Sequence, residues 1–311
     1  STESDDDITI TVNDGEGDDL NAETLSALGG KTAGTVTVSN AVNIVGTTAQ
    51  VTAALVTDDT KVIASTATVA LDEGQTPTVS QLNDIADATD GVVTATLAAA
   101  ALADLGALST ESDDDITITV NDGEGDALSA TALSTLGGKT AGDVTVSNAV
   151  VISGTQAQVT AALVTADTKV EAGTADVTIT GGGGDDINAE DLSAIGGATG
   201  GDVTVNEAIN IVGTTAQVTA ALVTDDTKVI ASTATVALDE GQTPTVSQLN
   251  DIADATDGVV TATLAAAALA DLGALSTESD DDITITVNDG EGDDLNAETL
   301  SALGGKTAGT V

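Results

Sequence analysis

The chain is 311 residues long, carries 51 acidic and six basic side chains for a net charge of −45, and has no aromatic residue, cysteine, methionine or histidine. Such a charge excludes nucleic-acid recognition, which needs basic patches, and disfavours anionic membrane surfaces. At 41% hydrophobic residues the chain is too apolar for an acidic disordered tail, yet no apolar run approaches the ~18 residues of a membrane span.

Segments in which apolar residues alternate with Thr or Ser predict strands. In chain order they are ITITV at 8–12, VTVSN at 36–40, ATVAL at 67–71, VTATL at 93–97, ITITV at 116–120 and VTVSN at 144–148. DVTIT at 176–180, VTVNE at 203–207, ATVAL at 234–238, VTATL at 260–264 and ITITV at 283–287 complete the set. Their mean step of ~27 residues is near the period of leucine-rich repeats.

Short helical patterns lie between them. Leu20, Leu25 and Leu28 mark the first, and Val51, Ala54 and Leu55 the second. Val79, Leu82 and Ile85 mark the third, and Leu102 and Leu105 the fourth. Thr47 with Gln50, Thr78 with Gln81, Thr155 with Gln158 and Thr214 with Gln217 predict capping boxes. The pairs Gly29-Gly30, Gly137-Gly138 and Gly196-Gly197 predict left-handed C-caps.

The unit is therefore strand, loop, short helix, loop. Its length is close to the lower limit for a parallel crossover, and right-handed crossovers in series stack into a solenoid. The expected fold is α/β, a right-handed solenoid of about 27-residue strand–helix coils with one parallel sheet. It is expected to run as one continuous segment of about eleven coils over residues 1–311. Without aromatics to fill wide spaces, its core is expected to be thin layers of Val, Ile, Leu and Ala. Residues 1–36 recur unchanged at 276–311, and 43–126 at 210–293, so the chain reads as a window of a longer repetitive protein. Tandem β-sandwich domains are the alternative, since STESDDDITITVNDGEGD begins at Ser1 and again at Ser109, a spacing near the size of such a domain. The capped Leu/Ala segments argue against them.

The acidic loops flanking each ITITV strand are the candidate ion sites. They hold Asp5, Asp6, Asp7, Asp14, Glu16, Asp18 and Asp19 in the first copy. The second copy has Asp113, Asp114, Asp115, Asp122, Glu124 and Asp126, and the third Asp280, Asp281, Asp282, Asp289, Glu291, Asp293 and Asp294. Asp185 and Asp186 follow the run GGGG at 181–184. Carboxylates alternating with glycine suit Ca²⁺, which takes ~6–8 oxygen ligands. A strand of five residues spans ~17 Å, so the two loops that flank it cannot share an ion. The competing reading is a set of solvated loops that keep a fibre soluble.

Other motifs carry less. GGKT at 29–32, 137–140 and 304–307 follows a helix, where a phosphate-binding loop needs one after it; Lys31 is read as offsetting a helix dipole. Lys61, Lys169 and Lys228 are read as local charge balance. Thr9/Thr11, Thr66/Thr68, Thr94/Thr96 and Thr178/Thr180 are expected to face outward, where they offer a surface for lateral packing. No nucleophile–base pair is visible, so no enzyme is expected.

The stretches ITITVNDGEGDDLNAETLSAL and NIVGTTAQVTAALVTDDT resemble the repetitive regions of giant secreted or cell-surface proteins of marine bacteria and cyanobacteria, adhesin-like and RTX-like in style. The resemblance implies an extracellular or cell-surface location in a bacterium and Ca²⁺-dependent folding; it transfers no functional residues. The expected function is an extracellular structural filament or stalk, stiffened by cations, whose partner is itself, end to end or side by side. No nucleic acid and no membrane insertion are expected. The alternative is the spacer of a calcium-dependent adhesin with its binding domain outside this window.

Overall fold

The computed structural model describes residues 6–206, 208–224, 228–291 and 294–311. β1 (Ile10–Val12), β2 (Asp19–Asn21), α1 (Ala22–Gly29), β3 (Val36–Val38), β4 (Asn43–Gly46) and α2 (Thr48–Val51) come first. After a π-turn at Thr52–Val56 follow β5 (Val62–Ile63), β6 (Thr68–Leu71), α3 (Val79–Ala86), β7 (Val93–Thr96) and α4 (Leu102–Leu105). Next are β8 (Asp115–Val120), β9 (Ala127–Ser129), α5 (Ala130–Gly137), β10 (Val144–Val146) and β11 (Val151–Gly154). α6 (Gln156–Leu163), β12 (Val170–Glu171), β13 (Asp176–Ile179), β14 (Asp186–Asn188), α7 (Ala189–Ala198) and β15 (Val203–Val205) continue the chain. β16 (Asn210–Gly213), α8 (Thr215–Val218), β17 (Val229–Ile230), β18 (Thr235–Leu238) and α9 (Val246–Ala253) precede β19 (Val260–Thr263), α10 (Leu269–Leu272), β20 (Asp282–Thr284) and α11 (Ala297–Gly304). The fold is α/β, and the strand pairings among the described residues are parallel.

The chain forms two compact units, one of residues 1–123, 132–148 and 165–171, the other of 124–131, 149–164 and 172–311. The first unit holds a three-stranded sheet, β1-β3-β5, and a seven-stranded sheet, β12-β10-β8-β7-β6-β4-β2. In the small sheet Ile10, Val36 and Val62 stand in register, at equal steps along the chain. In the large one Leu20, Ile44, Val69 and Val93 are in register, again at near-equal steps. β8 belongs to both kinds of ladder: Ala95 pairs with Ile116 on one side, and Ile118 with Val144 on the other.

The second unit holds two five-stranded sheets, β17-β15-β13-β11-β9 and β14-β16-β18-β19-β20. Here β13 is the strand that joins two ladders, since Val177 pairs with Ile152 on one side and with Val203 on the other.

Alternation decides which face is buried. In β8, Ile116, Ile118 and Val120 are buried, while Thr117 is exposed and Thr119 half-buried. The expected outward Thr pairs are all exposed or half-buried. The core is aliphatic throughout, and Ile44, Leu82, Ile85, Leu105, Leu133 and Ile152 are among its fully buried side chains. No helix among the described residues is long and apolar enough to cross a membrane.

The four expected capping boxes are formed, and Thr245 with Gln248 makes a fifth. Three expectations need correction. Among the described residues the single sheet is replaced by four. All eleven expected strands are present, but among the described residues the sheets also contain short strands that alternation did not reveal, such as β2, β4, β5, β9 and β14. These run for two to four residues, too short to show a period, and β2 and β14 lead straight into the N-caps Asn21 and Asn188. Nor are the glycine pairs left-handed: Gly30 is right-handed at φ −69, and among the described residues the positive-φ glycines are Gly17, Gly74, Gly125, Gly184 and Gly241, in turns. At Gly137 the reason for glycine is close approach, because a Cβ there would meet the Thr168 carbonyl.

Candidate functional site

The feature that recurs through both units is a Thr-x-Gly tripeptide that holds the preceding turn of chain. It occurs six times among the described residues, at Thr32/Gly34, Thr89/Gly91, Thr140/Gly142, Thr199/Gly201, Thr256/Gly258 and Thr307/Gly309. Each Thr is buried, and its hydroxyl accepts from the Gly amide two residues on. Each hydroxyl also faces a carbonyl 22 to 24 residues back: Ile8, Ala67, Ile116, Ala175, Ala234 and Ile283.

Thr140 is fully engaged. Its Oγ1 accepts from Ile116 N at 2.9 Å and Gly142 N at 2.8 Å, and lies 2.8 Å from Ile116 O and 3.0 Å from Asp114 O. A hydroxyl offers one donor and two acceptor sites, so all are used. The glycine is equally constrained. A Cβ on Gly142 would stand 2.5 Å from Ile116 O, and one on Gly34 2.6 Å from Ile8 O. Thr and Gly together therefore close on the backbone of one residue 22 to 24 positions back.

The acidic residues divide by burial. Asp114 and Asp281 are 4% and 3% exposed, and each is held by amides. Asp114 accepts from Val93 N at 2.7 Å and Glu111 N at 2.9 Å; Asp281 accepts from Val260 N at 2.7 Å and Glu278 N at 2.8 Å. Asp122 and Asp289, half-buried, accept from Leu102 N at 2.7 Å and Leu269 N at 2.9 Å. These amides are the first of α4 and α10, whose N-cap positions, Ala101 and Ala268, have no side chain that can accept. The carboxylates thus cap short helices from a neighbouring loop, where negative charge is favoured.

The remaining predicted residues are exposed: Asp6, Asp7, Asp14, Glu16, Asp18, Asp19, Asp113, Asp115, Glu124, Asp126, Asp185, Asp186, Asp280, Asp282, Glu291 and Asp294. Asp5 and Asp293 lie outside the described residues. Asp18 and Asp185 brace their own turns by accepting from Gly15 N and Gly182 N at 2.8 and 2.6 Å. Asp19 and Asp186 accept from Asn43 and Asn210 Nδ2, each at 2.8 Å. A hollow of about 200 Å³ gathers Asp113 and Asp114 with Asp87, Asp90 and Glu111. Among the described residues, however, no three acidic side chains converge as a metal-holding group. Asp18, Asp114, Asp122, Asp185, Asp281 and Asp289 spend acceptor capacity on backbone amides.

Five lysines, Lys61, Lys139, Lys169, Lys228 and Lys306, donate to backbone carbonyls. Lys139 Nζ donates to Gly106 O at 3.0 Å and to Leu108 O, and Lys306 Nζ repeats this with Gly273 O and Leu275 O. These carbonyls follow α4 and α10, so Lys139 and Lys306 reach the C-terminal ends of helices other than the ones they follow. Lys61, Lys169 and Lys228 adopt left-handed backbones, φ 47, 45 and 47, and reach the carbonyls of Ala33, Ala141 and Gly200.

The Thr-x-Gly clamps, the buried aspartates and the long-range lysine contacts were not foreseen. The recurrence of TAG, TDG or TGG after α1, α3, α5, α7, α9 and α11 was the one signal available in sequence. No family model matches the chain, and no curated protein matches it.

Proposed function

We propose that the chain is a structural segment of an extracellular filament or stalk, built as a right-handed α/β solenoid whose partner is its own repetition. The observation that carries this reading is the Thr-x-Gly clamp, which ties one turn of chain to the preceding one at six places. Parallel ladders with near-constant steps along the chain support it, as does the strong right-handed bias of parallel crossovers. The extracellular bacterial placement rests on the resemblance of the acidic repeats alone.

Calcium enters the proposal as a screening counter-ion. Coils stacked at ~4.8 Å bring acidic loops well within the ~8 Å Debye length, where like charges repel. Cations relieve that repulsion without an ordered ligand set.

Diffraction from oriented, dried protein tests the architecture. A reflection near ~4.8 Å along the fibre axis is expected, since strands stack along it. The same reflection lying across the axis would overturn the solenoid.

A further inference from the structure

Two of the six clamps place an aspartate before their glycine: Thr89-Asp90-Gly91 and Thr256-Asp257-Gly258. Asp-Gly is a chemically weak step. The glycine amide, with no side chain to shield it, attacks the carboxyl carbon of the aspartate before it. An N–C bond forms, the amide proton and the carboxyl hydroxyl leave as water, and a five-membered succinimide closes. Water then opens the ring. Opening at the main-chain carbonyl leaves a β-linked isoaspartate, with one more methylene in the backbone.

Three contacts stand against that reaction at residues 89–91. Gly91 N, the attacking atom, donates to Thr89 Oγ1 at 3.1 Å. Asp90 N donates to Ser65 O at 2.8 Å. Gly91 lies so close to Ala67 that a Cβ would collide with Ala67 O. The second clamp has the same three: Gly258 N donates to Thr256 Oγ1 at 3.0 Å, Asp257 N donates to Ser232 O at 2.9 Å, and Gly258 lies against Ala234 O. The hydroxyls are themselves anchored, since Thr89 and Thr256 donate to Ala67 O and Ala234 O. Both threonines are buried, whereas Asp90 and Asp257 are exposed. The carboxyls are therefore open to water, and the attacking amides are the groups held in place.

We infer that these two clamps suppress isoaspartate formation at Asp90 and Asp257, by holding the glycine amide in its peptide plane and away from the neighbouring carboxyl. To attack, Gly91 N must give up its hydrogen bond to Thr89 and leave that plane, which peptide resonance opposes. The product is resisted as well. A methylene added between Asp90 and Gly91 pushes the glycine into Ala67 O, where not even a methyl group fits. The inference goes beyond the filament reading and does not depend on it.

The test is peptide mapping of folded protein held at neutral pH in water enriched in the heavy oxygen isotope, because ring opening inserts one solvent oxygen. Thr89→Val keeps the shape and deletes the acceptor. In that variant Asp90 is expected to take up label roughly tenfold faster than Asp257 of the same molecule, the factor for about one hydrogen bond. The substitution marks the Asp90 peptide, so the two otherwise identical stretches are read apart. Thr89→Ser restores the hydroxyl and is expected to return Asp90 to the Asp257 rate. Thr140→Val opens a clamp of the same unit that contains no aspartate, and is expected to leave both rates as in wild type. Equal uptake at Asp90 and Asp257 in the Thr89→Val protein, or an equal rise in the Thr140→Val protein, would overturn the inference. Wild type against a synthetic peptide of residues 86–94 is a second measurement that needs no variant to fold. The peptide is expected to take up label about tenfold faster or more, and equal rates would overturn the protection.

Discussion

The hydroxyl of Thr140 and the backbone of Ile116, 24 residues apart, form a closed bracket: Oγ1 accepts from Ile116 N at 2.9 Å and donates to Ile116 O at 2.8 Å. Gly142 lies against the same carbonyl, so side chain and backbone grip one point of the preceding strand from two directions. Removing either component has a calculable cost.

Thr140→Val keeps the shape and deletes the hydroxyl. The Ile116 and Gly142 amides then lose their shared acceptor in a buried place. A buried unsatisfied polar group costs about 1–3 kcal/mol, so a loss in that range is expected in urea unfolding. An unchanged midpoint would show that the bracket contributes nothing.

Gly142→Ala places a methyl 2.5 Å from Ile116 O, which is backbone and cannot swing aside. Overpacking of this kind costs roughly 1–3 kcal/mol. Gly183→Ala, at an exposed position with nothing within 4 Å of the new atom, is the control and is expected to fall within about 0.5 kcal/mol of wild type. Equal effects of the two substitutions would contradict the close-approach argument.

Asp114→Ala and Asp113→Ala change neighbouring residues of one acidic run. The first strands the Val93 and Glu111 amides and is expected to cost about 1–3 kcal/mol. The second alters an exposed side chain and is expected to stay within about 0.5 kcal/mol. Thermal melts of the two variants separate structural carboxylates from solvated ones.

How far the sequence could be read is clear from those two aspartates. Asp6, Asp114 and Asp281 sit in the same run of residues, yet Asp6 is exposed and the other two are buried. Burial here is conferred by the strand alongside, which a local pattern does not contain. Alternating segments such as Val36–Val38 and local pairs such as Thr78 with Gln81 were legible, because their signals lie within a few residues. β5, two residues long, and the clamp of Thr89 on Ala67 were not, because their meaning depends on a partner far away along the chain. The acidic loops were legible as charge, but not as acceptors for backbone amides.

Calcium supplies a further check. With screening and no ordered site, added Ca²⁺ is expected to raise the melting temperature gradually, and enough NaCl is expected to give a comparable rise. A sharp, saturable rise at micromolar Ca²⁺ that NaCl does not reproduce would show an ordered site and contradict this account.

The central claim is that each turn of chain adds one strand spacing along a common axis. Small-angle scattering on versions extended by one, two and three further copies of the stretch 43–209 tests it most directly. Six coils at ~4.8 Å predict that each copy lengthens the particle by roughly 29 Å while its cross-section stays constant. A cross-section that grows with each added copy would contradict it.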